Sequence, residues 1–175
     1  MEVYLIRHTR VNLPEPTCYG QTDIDVCSTF PEEAAQTKQN LKGITFDKVY
    51  CSPFKRAAKL AAFCGFPDAR RDNRLKEMYM GYCEMTPFRQ IPPNDIENWY
   101  KRFMQIRMPG GESTLDVYKR MNDFFEELRE KPFNRVAVFY HGCAILCTRI
   151  LLKQLPNTAG FDDITDFGGI EKIEI

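Results

Sequence analysis

Apolar residues recur along the chain in short solid runs separated by helical stripes. Val3-Tyr4-Leu5-Ile6 is apolar on both alternating faces, the pattern of a strand covered on both sides. Arg135-Val136-Ala137-Val138-Phe139-Tyr140 repeats the design, and Phe46–Cys51 is a shorter strand. Residues 69–75 and 170–175 are further strand candidates, the last suited to an edge by Glu171, Lys172 and Glu174. A helix is predicted over 32–42, between Pro31 and Gly43, and another from Ser52 as N-cap and Pro53 as first helical residue to about Cys64. Leu115, Tyr118, Met121, Phe125 and Leu128 form the apolar stripe of a third helix, with Ser113 and Asp116 as a capping box carrying Asp in place of Glu. A fourth follows over about 143–153. Between them, residues 84–110 carry Pro87, Pro92, Pro93 and Pro109. Ile96, Trp99, Tyr100, Phe103 and Ile106 recur there at helical spacing, predicting a helical insert over a single domain spanning 1–175.

Strands alternating with helices predict a three-layer α/β/α sandwich on a mostly parallel sheet. In such sheets ligands bind beyond the carboxyl ends of the strands. The chain has two histidines, His8 and His141, and each ends one of the solid apolar runs. Arg7 precedes the first, and Arg56 falls just past the Phe46–Cys51 strand. One shared site follows from that convergence. The long segment 9–31, with Pro14, Pro16, Gly20 and Pro31, is of the length that usually carries function.

Composition narrows the classes. The 175 residues are 43% hydrophobic and 27% charged with zero formal net charge, so a broad nucleic-acid surface is not indicated. No run is long enough to span a bilayer and no secretory leader is visible. The seven cysteines are scattered without a CxxC pair, which points to a reducing, cytoplasmic compartment. Cys143 and Cys147 lie one turn apart, as a redox or metal pair would, though packing of a buried helix explains them more simply. A metal-binding histidine pair would need a third ligand at suitable spacing, and neither HExxH nor HxH is present, so no metal and no cofactor is expected.

Two guanidinium groups around an imidazole suit a tetrahedral dianion. Nearby positive charge keeps the imidazole neutral, and a neutral ring has a lone pair able to attack phosphorus. A carboxylic acid at the mouth then protonates the leaving alkoxide. Taken singly, each residue also has a plain structural reading: a strand-end cap, a solvated arginine, an exposed loop glutamate.

Leu5-Ile6-Arg7-His8, Cys51-Ser52-Pro53-Phe54-Lys55-Arg56-Ala57, Leu75-Lys76-Glu77-Met78 with Gly81 and Glu84, Gly110-Gly111-Glu112-Ser113 and His141-Gly142 stand in one order. Together they resemble the five motifs of the histidine phosphatase superfamily, the phosphoglycerate-mutase-like fold. The resemblance implies that His8 is the transiently phosphorylated nucleophile and that Arg7, Arg56 and His141 bind the phosphoryl group. It implies that Glu77 is acid then base, and that Tyr19-Gly20-Gln21 and Gly142 contact substrate. Three departures stand out. Thr9-Arg10-Val11 replaces the usual Gly-Glu-Thr; Pro14 stands where asparagine is usual, with Asn12 a shifted substitute; Cys83 replaces a common tryptophan. Arg10 is either a third cation at the mouth or a solvated side chain. The short stretch between Glu84 and Gly110 favours a phosphatase over a mutase, and the Arg-His-Thr variant is most similar to α-ribazole-phosphatase-type members of cobalamin assembly. A small phosphomonoester is then the expected partner. A mutase, or a binding module that kept only the phosphate pocket, are the alternatives.

Overall fold

A computed structural model describes residues 1–93 and 107–175. In chain order the elements are β1 (Glu2–Arg7), β2 (Thr17–Cys18), α1 (Phe30–Asn40), β3 (Lys48–Cys51), α2 (Lys55–Phe63), β4 (Arg70–Arg71), β5 (Thr86–Pro87), α3 (Thr114–Arg129), β6 (Arg135–Tyr140), α4 (Gly142–Leu151) and β7 (Ile170–Glu174). Five strands form one sheet in the order β4-β3-β6-β1-β7, and β2 pairs with β5 apart from it. β1 and β3 both run parallel to β6, and β4 parallel to β3; only β7 is antiparallel, along the outer side of β1. Of the helical insert expected over 84–110, the part with Ile96, Trp99, Tyr100, Phe103 and Ile106 lies outside the described residues, while its described start holds β5 and a 3-10 turn, Phe88–Gln90.

The alternation of side chains along a strand divides the core into two. Val3 and Leu5 of β1, with Val136, Val138 and Tyr140 of β6, face Val117, Met121, Phe124, Phe125 and Leu128 of α3 and Ala144 and Ile145 of α4. Ile6, Ala137 and Phe139 point the other way, against Ala34 and Leu41 near α1 and Leu60 and Ala61 of α2. The solid apolar runs of β1 and β6 are therefore what a sheet covered on both faces requires. No helix among the described residues is long and apolar enough to cross a membrane.

Three local expectations are corrected. Ser52 does not cap α2; the N-cap is Phe54, and the Lys55 N–H is taken by the Asp23 carboxylate at 2.8 Å, while Ser52 is turned to His141. The strand expected over 69–75 shortens to Arg70–Arg71, because Asp72 caps a single 3-10 turn, Asn73–Leu75. Leu115 is 58% exposed, and Val117 and Phe124 take its place on the buried stripe of α3. The Ser113–Asp116 capping box is present with both reciprocal bonds.

Candidate active site

The carboxyl ends of β1, β3 and β6 lie side by side, so Arg7-His8, Ser52 and His141 leave the sheet together. His8 N–H donates to the Tyr140 carbonyl at 3.1 Å and Ser52 N–H to that of Phe139 at 2.8 Å, extending the ladders by one step. The His8 and His141 rings stand 5.1 Å apart, edge to face. Both are buried.

Each ring's tautomer follows from its partners. His8 Nδ1 lies 2.6 Å from the Thr9 carbonyl oxygen. A carbonyl only accepts, so Nδ1 carries the proton and Nε2 keeps the lone pair. His141 is the reverse: Arg56 Nε–H donates to its Nδ1 at 3.3 Å, leaving the proton on Nε2 for the Ser52 hydroxyl at 2.7 Å. Burial first, then the Arg56 charge, hold the His8 pKa well below its usual 6.5, with Arg7 adding to the effect. Burial, Arg56 and His8 do the same to His141.

The two arginines are held differently. Arg7 donates from Nη1 to the Thr165 carbonyl at 2.6 Å, and its guanidinium carbon sits 3.8 Å from the Phe167 ring centroid. Its Nε is buried without a hydrogen-bond partner. Gly142 allows this approach, since a Cβ there would stand 3.1 Å from Arg7 Cζ and Nε. Arg56 is fully buried, with Nη1 on the Thr22 carbonyl at 2.9 Å, Nη2 on that of Gly20 at 2.5 Å and Nε on His141. Three of its five N–H bonds are thus committed within the fold.

Glu77 is buried and sits at the amino end of α4. Its carboxylate accepts from the N–H groups of Cys143 at 3.0 Å, Ala144 at 3.1 Å and Met78 at 2.9 Å. The first two are otherwise unpaired donors of the first turn of α4, supplied by the tight turn after His141. Behind it, Arg120 donates to the carbonyls of Arg74, Lys76 and Glu77 at 2.6, 2.5 and 3.1 Å and pairs with Glu112.

Arg7, His8, Tyr19, Glu77 and Gly142 line one cavity of about 230 Å³ with Thr17, Cys18, Met80, Phe88, Cys143, Ile164 and Phe167. Burial pushes the Tyr19 hydroxyl up to about 12. Arg56 and His141 stand behind this lining. Gly20 presents its carbonyl to Arg56 and packs too tightly for a side chain, a Cβ meeting the Met78 oxygen at 1.8 Å. Gln21 turns to the Glu77 carbonyl at 3.0 Å. Asn12 is exposed and its N–H bonds the Asp25 carbonyl, away from the cavity. Arg10 reaches Glu33 at 3.4 Å with a side chain 68% exposed. Phe88, Ile164, Thr165 and Phe167 were not singled out by sequence reasoning, since isolated loop residues carry no periodic signal. Among the described residues no group of three or more His, Cys, Asp or Glu is placed to hold a metal ion.

The profile of the histidine phosphatase superfamily, branch 1, matches residues 3–175. The protein named "Probable phosphoglycerate mutase GpmB" of Shigella dysenteriae is 28% identical over 167 residues, covering 89% of this chain and 76% of that protein. The α-ribazole phosphatase structure from Shigella flexneri superposes with a TM-score of 0.86 at 23% identity, covering 100% of this chain and 91% of that one. The mycobacterial glucosyl-3-phosphoglycerate phosphatase gives 0.84 at 21% identity, over 99% and 89% of the two chains. At these identities the two structural likenesses establish the fold.

Proposed function

Because the chain belongs to the histidine phosphatase superfamily, branch 1, we propose that it is a phosphomonoesterase working through a phosphohistidine at His8. The lone pair on His8 Nε2, fixed there by the Thr9 carbonyl, is the observation that carries this reading. Nε2 attacks phosphorus, the ester oxygen leaves, and the phosphoryl group passes to the ring. Arg7, which lines the cavity beside His8, meets the phosphoryl oxygens with its guanidinium group, while Arg56 and His141 add positive potential and orientation behind His8. Glu77, in its acid form, protonates the leaving oxygen. As carboxylate it then takes a proton from the water that attacks phosphohistidine, releasing phosphate and restoring His8. No metal or cofactor takes part in this sequence of steps.

The substrate we favour is a small phosphorylated metabolite, with α-ribazole 5'-phosphate the specific candidate, in keeping with the fold shared with the Shigella flexneri enzyme. Seven cysteines, none of them in a disulfide, suit a reducing cytoplasm. Likeness to GpmB favours a second reading, phosphoryl transfer of the phosphoglycerate-mutase type. That activity would need a bisphosphorylated primer, whereas a phosphatase would not.

The test is hydrolysis of para-nitrophenyl phosphate in the presence of EDTA, with rapid quenching to trap acid-labile phosphoenzyme. Wild-type protein should turn over and accumulate label, and His8→Ala should do neither. Turnover abolished by chelation, or retained by His8→Ala, would reject the mechanism.

A further inference from the structure

Beyond the phosphoryl group, the cavity decides which alcohol can be attached to it. Among its lining residues Arg7 is the one arginine or lysine and Glu77 the one carboxylate, with His8 beside them. The rest of the lining includes Met80, Phe88, Ile164 and Phe167. Phe88 and Phe167 are 38% and 39% exposed, so two aromatic faces stand at the opening. The described arginines nearby are already engaged. Arg89 pairs with Glu15, Arg10 with Glu33, Arg120 with Glu112, and Arg56 is committed to Gly20, Thr22 and His141. Among the described residues, a second anion on the substrate would therefore meet apolar walls and the Glu77 carboxylate, losing its water without gaining a partner.

Size adds a constraint. At about 230 Å³ the cavity is smaller than sites for drug-sized ligands. A phosphoryl group fills its inner end beside Arg7 and His8, so the organic part of a larger ester must lie toward Phe88 and Phe167. Aromatic side chains receive a flat apolar body there by stacking or edge contact.

We infer that the site selects monophosphate esters of uncharged alcohols with a flat, apolar body, and discriminates against esters carrying a second negative charge; this rests on the phosphomonoesterase reading. Phe88 is the specificity-determining residue, since Phe167 is also tied to Arg7.

The experiment compares phenyl phosphate with 3-carboxyphenyl phosphate on the intact protein. Their phenols are of similar acidity, so the difference reports on recognition. The carboxylate should lower kcat/KM on the order of tenfold or more, chiefly through KM. In parallel, Phe88→Ala should reduce the ratio of kcat/KM for 2-naphthyl phosphate to that for phenyl phosphate by several-fold, a ratio that a general loss of folded protein leaves unmoved. Equal or better use of the carboxylate ester, or an unchanged ratio in Phe88→Ala, would overturn the inference and leave the phosphatase intact. Hydrolysis of none of the three esters would overturn the phosphatase reading itself, and this inference with it.

Discussion

Two neighbours of fixed character, the Thr9 carbonyl and the Arg56 Nε–H, assign opposite tautomers to the paired histidines. With both rings buried beside guanidinium charge, protonation is resisted in the folded state. The unfolded chain, with histidines near 6.5, binds protons first as pH falls. The unfolded state is thus favoured increasingly below pH 6.5, and this destabilisation is absent above it. Thermal melts should show wild-type stability falling as pH drops from 7 toward 5, with a smaller fall in His8→Gln, which has no imidazole there to titrate. Parallel slopes would count against a depressed His8. A second expectation concerns Gly142→Ala. Its Cβ would press on Arg7 at 3.1 Å and on the Ile164 methyl at 2.9 Å, so Arg7 must shift. Steady-state kinetics should show kcat/KM reduced about ten- to a hundredfold. The gathering of Arg7, His8, Arg56 and His141 was legible in the chain because Arg7 ends β1, His8 and His141 follow strand ends and Arg56 lies in the helix after β3, positions with meaning in an open sheet. Phe167 and Thr165, which hold Arg7 in place, were not. Their contacts arise only when the segment before β7 folds back over β1.

At the level of elements, local chemistry was readable where it is self-contained. The α3 capping box needs only Ser113 and Asp116, four residues of context. The start of α2 could not be read that way. Its cap comes from Asp23 in a distant loop, and the hydroxyl that looked like a cap serves His141 instead. Glu77 shows the same dependence on distance: two of its three donors belong to α4, more than sixty residues away. The loop that bears it has no regular secondary structure of its own between the 3-10 turns and is held from behind by Arg120. If Glu77 is the acid proposed above, Arg120→Met should loosen it without touching His8. Its kcat should drop on the order of tenfold for esters with poor leaving groups, and much less for para-nitrophenyl phosphate, whose oxygen needs little protonation. Equal losses on both would assign Arg120 a role in stability alone.

Across the whole molecule, the doubled pattern of β1 and β6 correctly foretold a sheet with a core on each face, and the charged β7 an edge. Strand order itself was not readable, because pairing of β6 between β1 and β3 depends on contacts far apart in sequence. β7 closes the sheet beside β1, and its Ile173 is buried in the larger core opposite Val3. Arg7 N–H also donates to the Gly169 carbonyl and the His8 carbonyl accepts from Gly168 N–H, at 3.0 and 3.1 Å. Ile173→Ala should cost about 2–5 kcal/mol by denaturant unfolding, with activity per folded molecule largely kept.

The sheet order has a consequence for how new specificities arise. His8, His141 and the Ser52 that bonds His141 leave three adjacent strands, whereas Tyr19, Met80 and Phe88 hang on the connections between elements. Reaction and selectivity are thereby written in separable parts of the polypeptide. Grafting a foreign 84–91 segment onto this scaffold should redirect the enzyme among esters while leaving its chemistry in place.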